Sequence, residues 1–596
     1  MNEDIPAGFT TLDWSIVASV LIGTTLLAAR LAKEQTTLKD FFLGGRRLPW
    51  FAVSASIIAT EISTVTFISL PFVVFQEGGN LTYLQLGLIG SFIARCIVGY
   101  VLVPAYYRAS QNGDIYSPYD YMGHRLGERV RQLMSLLFGL GGILGQAARV
   151  YLTAIVLEVL LHRELGVLAH DWGVDTTALS MTFIGVLSIV WTLLGGIATV
   201  VWTDALLFLL FIVGVTVSLL TLHQQLDGGL PEALLQGAEA GKLVLWDFDT
   251  DPTKAFTFWA ALFAVTWSGI GSYGTDHMLA QRLLCCRDEG EARKAIIVSV
   301  VGMAITFAVA LIGVGLWAYY TAHPLTGESA RLVAEKGDRI YPLFISEVIP
   351  PGFRGLVLAG AFAAAISSLD SILAALSQTT LSALVLPWRQ ARLERQDHNA
   401  TPEEDERFAL RASRHLVVFW GVALVLCALG IESAAAHYDS ILSLALAMAT
   451  YTAGGLIAGF FLAFTNKRIH ADGLLWSAPL SMLMVFALVW HHSTAIVWIW
   501  ALLGLGAIAW LLIRLKPAIE KGALATEALP TLWYLAIGGL IAWTGMHGYW
   551  TNSDGTFSNL AWPWYVPIGS LIALVGAMLL STTKVNNVES VFTPPR

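Results

Sequence analysis

Charged residues are scarce in this 596-residue chain: Asp, Glu, Lys and Arg together make up 13%. A soluble domain carries about a quarter, so a soluble globular body is excluded for most of the length. Cysteine is nearly absent. Of the four, Cys96 and Cys427 lie in apolar runs and Cys285-Cys286 in a short loop, which gives neither a disulfide framework nor thiolate spacing for a metal. HExxH and GxxxxGK[ST] are both missing, and His491-His492 has no acidic companions, so no enzyme is expected. The net charge of -8 is spread over loops with no basic stripe, so nucleic acid is not an expected partner. Acidic residues (Glu3, Asp4, Asp13) precede the first apolar run, and no cleavable signal peptide is expected.

What is abundant is apolar sequence, 56% of the chain, with a mean hydropathy of +0.65. A bilayer-spanning helix needs about 20 such residues. Fifteen segments meet that need, near 14–31, 49–72, 83–108, 131–161, 175–195, 197–220, 256–277, 293–322, 353–383, 411–431, 439–463, 472–490, 494–515, 529–547 and 562–581. The expected fold class is an all-α polytopic membrane protein in a cell (inner or plasma) membrane. Basic residues orient it. An outside N-terminus and inside C-terminus put Arg46-Arg47, Arg125, Arg129, Arg282, Arg287, Arg389 and Arg395 inside. The long outside loop is then 221–255 and the long inside loop 386–410, a solvated linker or short surface helix.

Two segments are interrupted by polar residues. In 49–72 these are Thr60, Glu61, Ser63, Thr64 and Thr66. In 256–277, Ser268, Gly269, Gly271, Ser272 and Gly274 crowd together. Each segment is followed by four more, so 49–220 and 256–463 form two five-helix repeats of opposite direction, the plan of many transporters. Residues 1–48 and 464–596 supply peripheral helices. Unwound backbone at such breaks frees carbonyls for a cation and amides for a solute. The plainer alternative for the second segment is that Gly and Ser permit close helix packing.

The segment AFAAAISSLDSILAALSQ (361–378) carries Ala364, Ser367, Ser368 and Ser371 at i, i+3, i+4 and i+7, one face of a helix. Asp370 lies beside that face. Clustered oxygens at membrane depth are costly without a partner, and a small dehydrated cation is a natural one. The face points to ion-coupled transport.

Four stretches then carry a resemblance: DFFLGGRRLPWFAVSASIIATEIS, GGIATVVWTDAL, GTDHMLAQRLL and RGLVLAGAFAAAISSLDS. In this order and topology the chain resembles the sodium:solute symporter family from about residue 40 to 470. The resemblance implies a LeuT-type five-plus-five core with extra terminal helices. It also implies Na+ as coupling ion, held by the carbonyls of Ala59, Ile62 and Ala364 and the hydroxyls of Ser367 and Ser368. A second cation site in some relatives maps to Asp204, Asp370 and Ser371. Asp370 departs from the usual Ser or Thr. Two carboxylates there repel unless a cation or proton joins them, so the pair either binds a second cation or keeps one carboxyl protonated. The plain alternative makes Asp204 a buried structural carboxylate. The family's sugar-binding set is mostly missing: Met303, Leu446 and Thr66 stand at polar positions, and Ser272-Tyr273 replaces a Tyr-Trp pair.

Glu61, Arg95 and Arg149 are charges within the expected core, and an arginine facing lipid would cost about 2.5–3.5 kcal/mol or more. Arg149 either neutralises Glu61 or binds the carboxylate of an anionic solute, and Arg95 is expected to be structural. The solute cavity is expected to include Glu61, Thr66, Arg149, Ser272 and Tyr273. The function that follows is a secondary-active sodium-coupled symporter importing a small organic solute by alternating access, with the bilayer and that solute as its partners and no obligate protein partner. The alternatives are a proton-coupled or two-cation symporter of an anionic solute, or a membrane sensor on the same fold. A signalling module is not expected in the roughly fifteen residues beyond the last segment.

Overall fold

The computed structural model describes residues 9–32, 43–62, 64–110, 115, 117–194, 197–396, 401–435, 441–465, 470–490, 496–547 and 560–581. These residues are helical with short connections. Eleven helices among them are long and apolar enough to cross a membrane, or thirteen if each bent pair is one span. That count falls short of the expected fifteen. The segments at 14–31 and 256–277 do contain helix, over Thr11–Ala32 and Thr266–Gly274. Ser63, Lys33, Lys39 and His491-His492 lie outside the described residues, as do the side chains of Ala364 and Ser367.

The described chain divides into two compact units: residues 1–120, 135–450 and 561–564, and residues 121–134, 451–560 and 565–596. In chain order the helices that matter for the first unit are α1 (Thr11–Ala32), α2 (Trp50–Glu61), α3 (Thr64–Phe75), α4 (Leu86–Ala109), α5 (Glu128–Leu160), α6 (Thr176–Leu194), α7 (Ile197–Gln225), α8 (Thr266–Gly274), α9 (His277–Leu284), α10 (Gly302–Ala322) and α11 (Phe353–Thr380). α7 packs along α11 and α2, and α10 packs against α3. The second unit is built from α12 (Ala453–Phe464), α13 (Ala471–Val489), α14 (Ile496–Trp510), α15 (Leu524–His547) and α16 (Tyr565–Leu579). There α13 and α16 form the tightest pair, where Gly473 brings the backbones close: a Cβ on it would stand 2.2 Å from the Ala577 carbonyl oxygen, and Gly454 on α12 approaches the Gly569 backbone of α16 in the same way. Small residues at such contacts are what helix association in lipid requires.

α1 is tied to the core by one carboxylate. Asp13 is fully buried. Its Oδ1 accepts the amides of Gly352 (2.7 Å) and Gly355 (3.0 Å), and its Oδ2 accepts Arg354 Nε at 2.8 Å. The first-turn amides of a helix have no partner within it. α1 therefore supplies α11 with an N-cap from another segment. Gly352 makes this approach with φ +86°, a conformation that favours glycine.

Candidate ion and solute site

The first break forms as the sequence predicts. α2 ends at Glu61, and Ile62 leaves helical geometry at φ -82°, ψ 81°. The helix pair on either side is bent by 52°. Carbonyls in the last turn of a helix have no intrahelical donor, so Ala59 and Ile62 sit where freed oxygens are expected, and both are buried. α11 packs against both halves of this broken helix. From α11, Ser368 presents a hydroxyl that is buried and has no hydrogen-bond partner among the described residues. Burying a hydroxyl without a partner costs about 1–3 kcal/mol, and an oxygen so placed on a helix packed against the break suits a dehydrated cation.

The second break differs from the expectation. Ser268, Gly269, Gly271, Ser272 and Gly274 are all helical, within α8. Gly269 and Gly274 serve close packing on α4: an added Cβ would meet Ala94 Cβ at 2.7 Å and Leu102 Cδ2 at 2.4 Å. The chain breaks one step later, at Thr275-Asp276. The amides of both residues return to the Gly271 carbonyl. Asp276 then turns extended (φ -68°, ψ 127°), and its carboxylate accepts the Met278 amide as the N-cap of α9. The sequence carried that signal, a Thr-Asp pair directly before an apolar run.

Glu61 and Tyr273 come together, and the expected partner of Glu61 is corrected. Arg95, not Arg149, pairs with it through Nη2. The Tyr273 hydroxyl donates to Glu61 Oε1 at 2.6 Å and meets Ser91 Oγ at 2.5 Å, while Arg95 Nε donates to Ser299 Oγ at 2.9 Å. Arg95 also lies over the Tyr273 ring, 4.3 Å from its centroid. The sequence alone reads Arg95 as structural and names only Arg149 for this pair; the approach of α4 to the first break selects Arg95. Of the other expected cavity members, Thr66 is buried on α3 and Ser272 is exposed, its hydroxyl donating back to the Ser268 carbonyl at 3.3 Å. Met303 packs on Gly87, where a Cβ would stand 2.2 Å from Met303 Cε.

That leaves Arg149. It lies in α5, where 78% of the apolar window is buried, yet its own side chain is half-buried. No hydrogen bond or ion pair ties its guanidinium to any described residue. Asp276, Tyr83 and Glu61 act on it electrostatically, Asp276 most strongly, but none stands at ion-pair distance. An uncompensated arginine inside a membrane body normally finds a carboxylate or a water-lined cavity.

The second cation site does not assemble as an open site. Asp204 and Ser371 do meet, but across Arg282, whose Nη2 donates to Asp204 Oδ2 at 3.0 Å and to Ser371 Oγ at 2.7 Å. Asp370 turns to the Thr192 hydroxyl, which donates to it at 3.0 Å. Arg282 belongs by charge counting to an inside loop. The structure adds that it is no solvated loop residue: all eight residues of α9 are buried, Arg282 among them. A basic residue next to a span reads as interfacial unless its carboxylate partner is known, and Asp204 is 78 residues away.

Comparisons with known proteins agree with this architecture. The family model described as "Sodium:solute symporter family" matches residues 41–481. Sodium-coupled monocarboxylate transporter 2 of Danio rerio is 26% identical over 483 residues, covering 79% of this chain and 71% of its own length. The sodium/iodide cotransporter of Homo sapiens is 26% identical over 386 residues, covering 64% of this chain and 56% of its own. A solved Na+-coupled sialic acid symporter, substrate-bound and outward-open, superposes with a TM-score of 0.67 at 22% identity, over 96% of this chain and 98% of that one. The fold is therefore that of a LeuT-type symporter, and the chain belongs to the sodium:solute symporter family.

Proposed function

We propose that this protein is a sodium-coupled symporter whose solute is a small carboxylate anion. The observation that carries the solute class is Arg149: a guanidinium with no hydrogen bond or ion pair to any described residue, half-buried in an otherwise enclosed helix, near the Asp276 break. A guanidinium fork matches a carboxylate bidentately. Relatives named for monocarboxylates and for iodide support a singly charged anion, and the loss of the sugar-binding set fits with it. Sodium would sit among the Ala59, Ile62 and Ala364 carbonyls and the Ser367 and Ser368 hydroxyls. The orphaned Ser368 hydroxyl supports that placement, and the absence of a fixed carboxylate there lets the ion leave. Arg95, Glu61 and Tyr273 would frame the cavity rather than hold solute, because they satisfy one another.

In this reading, residues 49–220 and 256–463 act as two inverted repeats in the cell membrane, with the N-terminus outside and the C-terminus inside, as the basic loops favour. A second reading rests on Asp370. Its carboxylate receives a hydroxyl from Thr192 and no cation pairs with it among the described residues, which suits proton coupling.

Uptake into proteoliposomes holding the full chain tests both. With sodium outside, lactate and butyrate should accumulate while lactamide and glucose do not. Choline in place of sodium should abolish uptake. Uptake driven by a proton gradient alone would replace the sodium reading with the proton one, and equal uptake of lactate and lactamide would remove Arg149 as an anion anchor.

A further inference from the structure

We infer that Arg282 is a tethered cation that permanently fills the second cation position, so that this protein binds one sodium per chain rather than two. This rests on the sodium reading above and adds the count.

Arg282 has every hydrogen-bonding nitrogen engaged. Nε donates to Ser56 Oγ at 2.7 Å, Nη1 to the Met278 carbonyl at 2.5 Å, and Nη2 to Asp204 Oδ2 and Ser371 Oγ at 3.0 and 2.7 Å. The Ser56 hydroxyl in turn donates to Asp204 Oδ2 at 2.5 Å. The cluster therefore draws one group from each of four helices: Ser56 on α2, Asp204 on α7, Arg282 on α9 and Ser371 on α11. Both broken segments contribute to it. Arg282 and Asp204 are 1% and 0% exposed, so water cannot screen the charge.

These are the oxygens a second sodium would need. A carboxylate and two hydroxyls from packed helices form a cation site by composition, and here a positive charge already occupies it. A sodium among the same oxygens would stand beside a guanidinium that already bonds to them. It would face direct repulsion at low dielectric and would compete with Arg282 for Asp204, its one carboxylate partner among the described residues. Departure of Arg282 is equally disfavoured, since removing one partner of a buried pair leaves an unpaired charge. Asp370 does not reopen the site, because its bond is to Thr192 on α6. At the first site no such occupant is found among the described residues: Ser368 Oγ, three residues before Ser371, has no hydrogen-bond partner there.

One sodium carried with one monovalent anion moves no net charge. Uptake would then respond to the sodium concentration gradient and not to membrane voltage. A tenfold sodium gradient would sustain about a tenfold solute gradient.

Equilibrium binding of 22Na+ to the purified full-length protein, without any solute, gives the count. The expected result is one sodium per chain with a Hill coefficient of one. Two per chain overturns the inference while leaving the sodium reading intact; none overturns both. Arg282→Gln should admit a second sodium, and adding Asp204→Asn should remove it again. If Arg282→Gln folds and still binds only one, the guanidinium is not what excludes the ion, and the inference fails. If Arg282→Gln does not fold, the wild-type count decides. In proteoliposomes, lactate uptake that is unchanged by a valinomycin-imposed potential agrees with one sodium, and uptake that rises several-fold with inside-negative potential contradicts it.

Discussion

Replacing Arg149 with Gln separates a solute anchor from a structural arginine, because the two roles move folding stability and affinity in different directions. Arg149 makes no hydrogen bond or ion pair with any described residue. Removing its charge therefore leaves no buried carboxylate newly unpaired at bonding distance, and it relieves the cost of holding an arginine at membrane depth, about 2.5–3.5 kcal/mol or more where it faces lipid. The melting temperature of Arg149→Gln should stay level or rise. Solute binding should suffer instead. Hydrogen bonds to a charged group are worth about 1.5–3 kcal/mol each. Losing a bidentate grip, with partial replacement by the glutamine amide, should cost about 3 kcal/mol, which is roughly 100-fold in affinity. Thermal unfolding in detergent with and without lactate reads both quantities. Wild type at about 100 times its dissociation constant gains roughly 2.7 kcal/mol from ligand, and the variant should gain almost nothing at the same concentration. A variant that melts several degrees lower without ligand, yet is still stabilised by lactate, would make Arg149 a structural residue tied to Asp276 and would refute the anchor.

Ser368→Ala should leave stability unchanged, because the lost hydroxyl has no partner among the described residues, while weakening sodium by about 10- to 100-fold; unaltered sodium dependence of uptake would sink the first ion site. Asp13→Ala should destabilise the chain by about 3–5 kcal/mol, since it strands Arg354 and the Gly352 and Gly355 amides; Asp13→Asn should cost less, and equal melting temperatures for all three proteins would show that α1 does not cap α11. Lys242 donates to the carbonyls of Val74, Phe75 and Gln76 at 3.0, 3.1 and 2.6 Å, closing the end of α3. Lys242→Met should cost about 1–3 kcal/mol and speed amide exchange around residues 70–80; unchanged exchange there would remove the clamp.

Much of the site was legible because helical periodicity is a local property. The Ser368 and Ser371 face follows from spacing alone, and the first break follows from Thr60, Glu61 and Thr64 in an apolar run. The second break was misplaced because glycine and serine serve two purposes in lipid, unwinding and close packing, and their spacing is the same for both. Gly269 and Gly274 pack; Asp276 breaks. The buried pairs were less legible. Glu61 was matched to Arg149 and not to Arg95, and Arg282 had no carboxylate assigned, because a salt bridge depends on which helices touch, not on where residues stand in the chain.

The sequence by itself determined that this is a polytopic helical membrane protein of the sodium:solute symporter family, with an oxygen-rich face opposite a broken helix. Hydropathy, periodicity and motif order are properties of the chain, and the bilayer admits few solutions to them. The tertiary structure alone decided which charges cancel. It joined Glu61 to Arg95 and Asp204 to Arg282, set Asp370 against Thr192, and left Arg149 unpaired by any described residue. Charge in a low-dielectric interior is governed by distance across packed helices, and only the fold sets that distance.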